Sequence, residues 1–335
     1  MTTAQPGGTL EAERLPDHAS PSEDPVMTDA SLPVGSDRPT SVPGHVPPPV
    51  PRATALGPMA DARRLIESFG ISHTGNVRKV NEDHFVTAAL QRSVQIRQTN
   101  LDDTQVFDRL SGPRAYLYAV ADGVGGSAGG RVASAIAVAT IVEYLGEAVG
   151  AYHGYGADQL KDFPEHLRTA VQRAHDHLVE TFRLQDRDGP ATTLTLAMVV
   201  WPRTYIVHVG DSRVYDLRGT AFRRLTRDQT VGEVLVSEHG MPKEKAEQAG
   251  LYNVLASAVG ARDMITAVDF LPLEHGDTLL LCTDGLTKHV SDSRIAETLG
   301  NASDAEAGCR SLIDLALAGG GSDNVTAVVA RVLAG

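Results

Sequence analysis

Beyond residue 60 the apolar positions fall into short runs with two spacings, and each spacing predicts a different element. Runs dense in apolar residues cover Tyr116 to Val120, Thr192 to Val200, Arg203 to Val209, Ile265 to Leu271, Thr278 to Cys282 and Val325 to Val332. These read as strands. Short strands at Val214 to Leu217 and Phe222 to Leu225 flank an Arg218-Gly219 turn, and apolar residues at Ile71 and Phe85 to Ala89 flank an earlier polar turn. A near-helical spacing links Ala133, Ile136, Ala137, Ile141, Leu145 and Val149, predicting a helix over Gly129 to Val149. A second stripe, Leu160, Leu167, Val171, Leu178 and Phe182, predicts a helix over Asp158 to Leu184 whose regular part begins at Pro164. Asp292 to Leu299 and Ala305 to Leu317 supply a second helix pair. Arg92 to Leu110 reads as a hairpin or surface excursion, and Asp228 to Val259, broken by Gly232, Gly240, Pro242 and Gly250, as a surface flap.

Two helices, then strands, two more helices and a last strand argue for packed layers rather than a bundle, and the hairpins argue against a doubly wound sheet. The expected fold is α/β of the α+β kind, an antiparallel sandwich with its acidic turns at one end.

Those turns carry the candidate chemistry. Asp122, Asp211 and Asp284 each directly follow an apolar strand, and Asp323 directly precedes one. Taken singly, an aspartate beside glycine is more readily a turn former or a cap. Four of them at strand ends leave that reading evenly balanced against a metal site. If the fold gathers them with Asp83, their charges are tolerable only with cations between, because buried unpaired carboxylates are costly. An all-oxygen set suits Mg²⁺ or Mn²⁺, and no adjacent His/Cys cluster suits zinc. Two such ions about 3.5–4 Å apart would activate water against a phosphate ester. The glycines Gly125, Gly126, Gly129 and Gly130 match neither a Walker loop nor a dinucleotide fingerprint. His73, His84, His208 and His289, near the motifs, are candidates for structural or supporting roles but read more readily as solvated or core histidines, and Cys282 within its strand reads as a buried small hydrophobe rather than a nucleophile.

The ordered set Arg78-x-x-Asn81-Glu82-Asp83, Ala121-Asp122-Gly123-Val124-Gly125-Gly126, Val209-Gly210-Asp211-Ser212-Arg213, Cys282-Thr283-Asp284-Gly285-Leu286-Thr287 and Ser322-Asp323-Asn324-Val325-Thr326 resembles the bacterial PPM/PP2C family of metal-dependent protein serine/threonine phosphatases. It spans about Phe69 to Leu333. The resemblance implies a four-layer αββα sandwich with two central antiparallel sheets. It implies hydrolysis of phosphoserine and phosphothreonine on proteins by metal-activated water, without a phosphoenzyme. Carried over motif by motif, Asp122 bridges two central ions and Gly123 adds its carbonyl. Asp284 and Asp323 hold the first ion, Glu82 and Asp83 orient or hold metal-bound waters, and Asp211 serves a third, weaker ion in which Asp284 can also take part. Arg78 grips the substrate phosphate, a bidentate task that suits Arg better than Lys. Read without the family, Arg78 is equally a solvated turn residue and Glu82 and Asp83 caps of a strand turn. Arg213 is expected to pair with Asp211 or a helix end, and Asn324 to brace its loop. Val124 stands where many eukaryotic members have a histidine, so no general acid carries over.

Composition narrows the rest. Twelve of the 18 prolines fall in the first sixty residues, which marks residues 1–60 as a disordered extension and 61–335 as the domain, with the flap at about 228–259. A net charge of -12 argues against nucleic acid as a partner. No apolar run reaches 18 residues and no basic start precedes an apolar core, so a cytoplasmic monomer without a membrane partner is expected. The expected partners are phosphoserine and phosphothreonine proteins and a cognate serine/threonine kinase. Two other readings stay open: a non-catalytic phosphoprotein-binding module, and a stress-response phosphatase acting on an anti-sigma antagonist.

Overall fold

The computed structural model divides the chain into two units, Met1–Thr54 and Ala55–Gly335. It describes residues 66–92, 112–125, 129–151, 162–182 and 189–333, all in the second unit. The expected N-terminal extension, most of the Arg92 to Leu110 excursion and the two ends of the Asp158 to Leu184 helix lie outside the described residues.

Eleven strands appear among the described residues. They are β1 (Ile66–His73), β2 (Asp83–Arg92), β3 (Gly112–Val124), β4 (Ala191–Thr192), β5 (Leu194–Val200), β6 (Arg203–Val209), β7 (Arg213–Arg218), β8 (Ala221–Arg224), β9 (Ala267–Pro272), β10 (Thr278–Cys282) and β11 (Val325–Val332). The helices are α1 (Gly129–Ala151), α2 (Phe163–Phe182), α3 (Val231–His239), α4 (Lys243–Gln248), α5 (Asp284–Thr287), α6 (Asp292–Asn301) and α7 (Ala305–Ala318). One sheet runs β1-β11-β10-β7-β8 and the other β2-β3-β5-β6-β9, with β4 paired to the end of β3. Every pairing between these strands is antiparallel. No helix among the described residues is long and apolar enough to cross a membrane.

Period-two alternation sorts the buried side chains into three apolar layers, which makes the architecture αββα. Leu117, Ala119 and Ala121 of β3 pack with Leu194, Leu196 and Met198 of β5 beneath α1 and α2. Leu280 and Cys282 of β10 pack with Ala327 and Val329 of β11 against α6 and α7. Between the sheets lie Tyr118 and Val120 from β3, Ala197 and Val199 from β5, and Leu279, Leu281, Val328 and Ala330 opposite.

Each inter-sheet column turns polar at the same end. Following the alternation, Phe85 gives way to Asp83, Val120 to Asp122, Ala197 to Thr195, Ile206 to His208, Leu281 to Thr283 and Val328 to Thr326. The middle layer of the sandwich is therefore oil along most of its length and hydrogen-bonding at one mouth. That mouth is where the acidic turns lie.

Three local features differ from the sequence expectation. β3 continues through Asp122 to Val124 rather than turning before the aspartate, because Asp122 pairs with Asp83 of β2 while Gly123 and Val124 pair with Thr192 and Ala191 of β4. Thr193 divides the expected Thr192 to Val200 strand into β4 and β5. The residues after Asp284 form a helical turn, α5, whose glycine, Gly285, fits so closely that a Cβ there would strike the Asn324 carbonyl.

Candidate metal centre

Asp83 and Asp122 are direct cross-strand partners on β2 and β3. Side chains so placed share one face of the sheet with Cβ atoms about 5 Å apart, and like charges there repel. Their backbones are tightly held. Asp122 donates its N–H to Thr193 Oγ1 at 2.9 Å, while its carbonyl accepts from Thr193 N and Thr192 Oγ1, both at 2.9 Å. Asp83 is 4% exposed, and its Oδ2 accepts from Thr283 Oγ1 at 2.8 Å and Thr326 Oγ1 at 2.7 Å. The other sheet thus supplies the hydroxyls that hold a carboxylate of this one.

Glycine is required where α1 enters. A Cβ on Gly123 would strike the carbonyls of Gly130 and Glu82, and one on Gly130 would strike the Gly123 carbonyl. The helix start therefore lies directly on the Glu82 and Asp122–Gly123 backbone, and the buried Ser134 hydroxyl of α1 sits against the Glu82 carbonyl. Asn324 braces the facing loop: its Nδ2 donates to the Thr74 and Val80 carbonyls, both at 2.9 Å, and its Oδ1 accepts from Glu82 N at 2.8 Å.

One cavity of about 740 Å³ opens at this mouth, and Arg78, Glu82, Asp122, Gly123, Asp211, Asp284 and Asp323 all line it. Asp83 lies behind it, facing a second cavity with Lys79, His84 and Arg131. Asn253 to Ala258, from the end of the Asp228 to Val259 segment, and Arg262 just beyond it line the same cavity. Arg78, whose side chain is 52% exposed, sets Nε 2.8 Å from Asp323 Oδ1 and Nη2 3.1 Å from Oδ2.

Electrostatics report the crowding. Burial, followed by Asp83, Asp284, Asp211 and Asp323, drives the Asp122 carboxyl well above the usual carboxylate range. Burial pushes Asp83 up to about 7 against its threonine hydrogen bonds, and burial with Asp284 and Asp228 pushes Asp211 to about 7. Asp284 is also raised, mainly by burial, against the pull of Lys288. Asp323 is lowered: burial is outweighed by the combined hydrogen bonds and charges of Lys288 and Arg78.

Lys288 escaped the sequence reading. Its Nζ lies 2.6 Å from Asp284 Oδ2 and 2.8 Å from Asp323 Oδ2. The signal was present in the i,i+4 spacing of Asp284 and Lys288, but it has meaning only if that turn is helical. Thr193, Thr283 and Thr326 were missed as braces for the same kind of reason. Arg213 forms a forked pair with Asp228, Nε to Oδ1 at 3.0 Å and Nη2 to Oδ2 at 2.7 Å, rather than with Asp211 or a helix end. Two of the histidines have polar partners within the fold: His208 sits between Thr195 Oγ1 and the Arg227 carbonyl, and His289 against Ser322. Cys282 is fully buried with its thiol pushed up to about 12 by burial.

The donor set fits divalent cations. All the side-chain donors are oxygens, the preference of Mg²⁺ and Mn²⁺. Glu82 Oε1, Asp83 Oδ1 and Asp284 Oδ1 are buried without a hydrogen-bond partner, as oxygens reserved for a cation would be. As they stand, no three carboxylate, imidazole or thiolate side chains among the described residues converge closely enough to enclose one ion. Asp284 is paired with Lys288, and Asp323 with both Lys288 and Arg78.

An αββα sandwich with a carboxylate-lined mouth defines the class of protein that the five motifs resemble. A family model described as protein phosphatase 2C matches residues 91–312, and the chain belongs to that family. It is 35% identical over 220 residues to the serine/threonine protein phosphatase PstP of Mycobacterium tuberculosis, covering 65% of this chain but only 41% of that relative. The chain thus spans about two fifths of the length of that protein. It is 30% identical to the serine/threonine phosphatase stp of Listeria monocytogenes over 70% of this chain and 91% of the relative. Among solved structures, M. tuberculosis PstP/Ppp superposes with a TM-score of 0.63 at 30% identity, over 80% of this chain and 99% of that one. The PstP catalytic domain in complex with two manganese ions gives 0.61 at the same identity and coverage.

Proposed function

We propose that this chain is a Mg²⁺- or Mn²⁺-dependent phosphatase of phosphoserine and phosphothreonine proteins, acting on the products of a serine/threonine kinase. The observation that carries this reading is the convergence of Arg78 and the candidate carboxylates Glu82, Asp122, Asp211, Asp284 and Asp323 on one cavity, with buried unpartnered oxygens on Glu82, Asp83 and Asp284. Similarity to named phosphatases, one of them solved with two manganese ions, supports it.

Asp122, Asp284, Asp323 and the Gly123 carbonyl would hold two central ions, with Glu82 and Asp83 on their water shell and Asp211 on a third. The chemistry such ions supply when bound is Lewis-acid polarisation of a phosphoryl oxygen and activation of water. Arg78 binds the phosphoryl oxygens, since its exposed guanidinium stands at the cavity mouth and offers a fork of donors. Thr283 and Thr326 fix the Asp83 carboxylate, and the two-threonine clamp on Asp122 fixes that strand end. The flap wall around Asn253 to Ala258 confines the substrate segment beside the phosphate.

The test is phosphate release from phosphothreonine peptides by the full chain with Mn²⁺ and with EDTA. Release that requires Mn²⁺ supports the reading. Tight phosphopeptide binding with no turnover in Mn²⁺ would replace it with a binding module.

A further inference from the structure

We propose that Lys288 is a tethered counter-cation that competes with divalent metal for Asp284 and Asp323, holding the metal-free site together and weakening its metal affinity. This rests on the divalent-centre reading above and adds to it a residue that regulates loading.

The geometry carries the argument. Lys288 follows α5 directly, four residues after Asp284, and its backbone N–H donates to the Asp284 carbonyl at 2.8 Å. That spacing puts the ammonium on the aspartate's side of the turn. From there Nζ reaches Oδ2 of both Asp284 and Asp323, at 2.6 and 2.8 Å. The side chain is one-third exposed and the two carboxylates are 19% and 15% exposed, so the contacts are only partly screened by water. The two loops pack directly on each other. Gly285 abuts the Asn324 carbonyl, and Asn324 is tied to Thr74, Val80 and Glu82.

Arg78 adds to the effect on Asp323 alone, and its guanidinium fork has a phosphate to bind. Lys288 is different: both of its ion-pair partners are carboxylates assigned to the same ion. A divalent ion arriving at Asp284 and Asp323 meets two oxygens already paired with an ammonium, and must displace it or share them with it. Asp284 Oδ1, buried and unpartnered, is the foothold from which displacement starts. A fixed positive charge at the site lowers the affinity for any cation, while the same charge relieves carboxylate repulsion when no metal is present.

The experiment titrates Mn²⁺ into metal-free full-length protein by calorimetry, comparing wild type with Lys288→Met and the charge-retaining Lys288→Arg. Melting of each metal-free protein is recorded alongside. Lys288→Met is expected to bind Mn²⁺ about tenfold more tightly or better and to melt lower without metal. Lys288→Arg is expected to stay near wild type in both. Equal or weaker Mn²⁺ binding by folded Lys288→Met overturns the proposal. A second measurement needs no variant: in wild type carrying ¹³C-dimethylated lysines, Mg²⁺ should shift the Lys288 methyl resonance, and a resonance unmoved at saturating Mg²⁺ overturns the displacement. If wild type takes up no Mn²⁺ at all, the divalent-centre reading itself fails, which is a different result from binding that ignores Lys288.

Discussion

Replacing Asp122 with Asn should make the metal-free protein more stable while removing its response to metal. The perturbation deletes one charge from a site where Asp83 is its direct cross-strand partner and Asp284, Asp211 and Asp323 raise its carboxyl further. Two unit charges about 5.5 Å apart at an effective dielectric constant of about 20 repel by about 3 kcal/mol. Proton uptake by Asp83, raised to about 7, already relieves part of that repulsion, so about 1–3 kcal/mol of relief is expected. In a domain of this size that is a rise of about 2–10 °C in the melting midpoint in EDTA. Saturating Mn²⁺ should work in the opposite sense: at about a hundred times its Kd a ligand stabilises the wild type by about 2.7 kcal/mol, and the variant should lose most of this. Differential scanning calorimetry of both proteins, with EDTA and with Mn²⁺, reads all four values. Metal-free Asp122→Asn melting below the wild type, or gaining as much from Mn²⁺, would refute the reasoning.

Arg78→Lys should lower kcat/KM on a phosphothreonine peptide about ten- to a hundredfold, because a forked, charge-assisted contact becomes a single point charge; steady-state kinetics showing no loss would remove Arg78 from the phosphate. Gly123→Ala should destabilise by about 2–4 kcal/mol in urea unfolding, since the new methyl meets two backbone carbonyls that cannot yield; a loss below about 0.5 kcal/mol would mean that α1 moves freely. In EDTA, stability should rise as pH falls from 8 toward 6. Asp83 and Asp211 have folded values of about 7 against 3.8, so the folded state binds more protons in that window. His208 acts the other way below about 6.5, because burial lowers it to about 4 and the unfolded chain takes up its proton first. Melting curves between pH 5 and 8 that fall monotonically with acid would contradict proton uptake by these carboxylates on folding.

Strands whose apolar runs are bounded by turn residues were legible: β6 spans Arg203–Val209 and β11 Val325–Val332, where the pattern places them. The first helix pair, α1 and α2, was legible through its stripes. What escaped was whatever depends on the neighbour across the sheet. Asp122 reads as the end of an apolar run, yet it lies inside β3, because β2 and β4 supply hydrogen-bonding partners on both sides. Thr283 and Thr326 look like ordinary strand-end residues until β10 and β11 face β2 across the sandwich and their hydroxyls reach Asp83. Lys288 needed the four-residue α5, too short for any periodicity to announce. The Arg213–Asp228 fork joins β7 to the first residue of the Asp228 to Val259 segment, a link that no local spacing contains.

The proposed chemistry requires carboxylates separated in sequence to meet around divalent ions at one end of the two sheets. Anomalous scattering at the manganese edge from Mn²⁺-soaked crystals of the full chain tests it most directly. Two peaks about 3.5–4 Å apart, bridged by Asp122 with Asp284 and Asp323 on one of them, are predicted. Manganese bound only elsewhere, with no peak within about 3 Å of the Asp122 carboxylate, would contradict it.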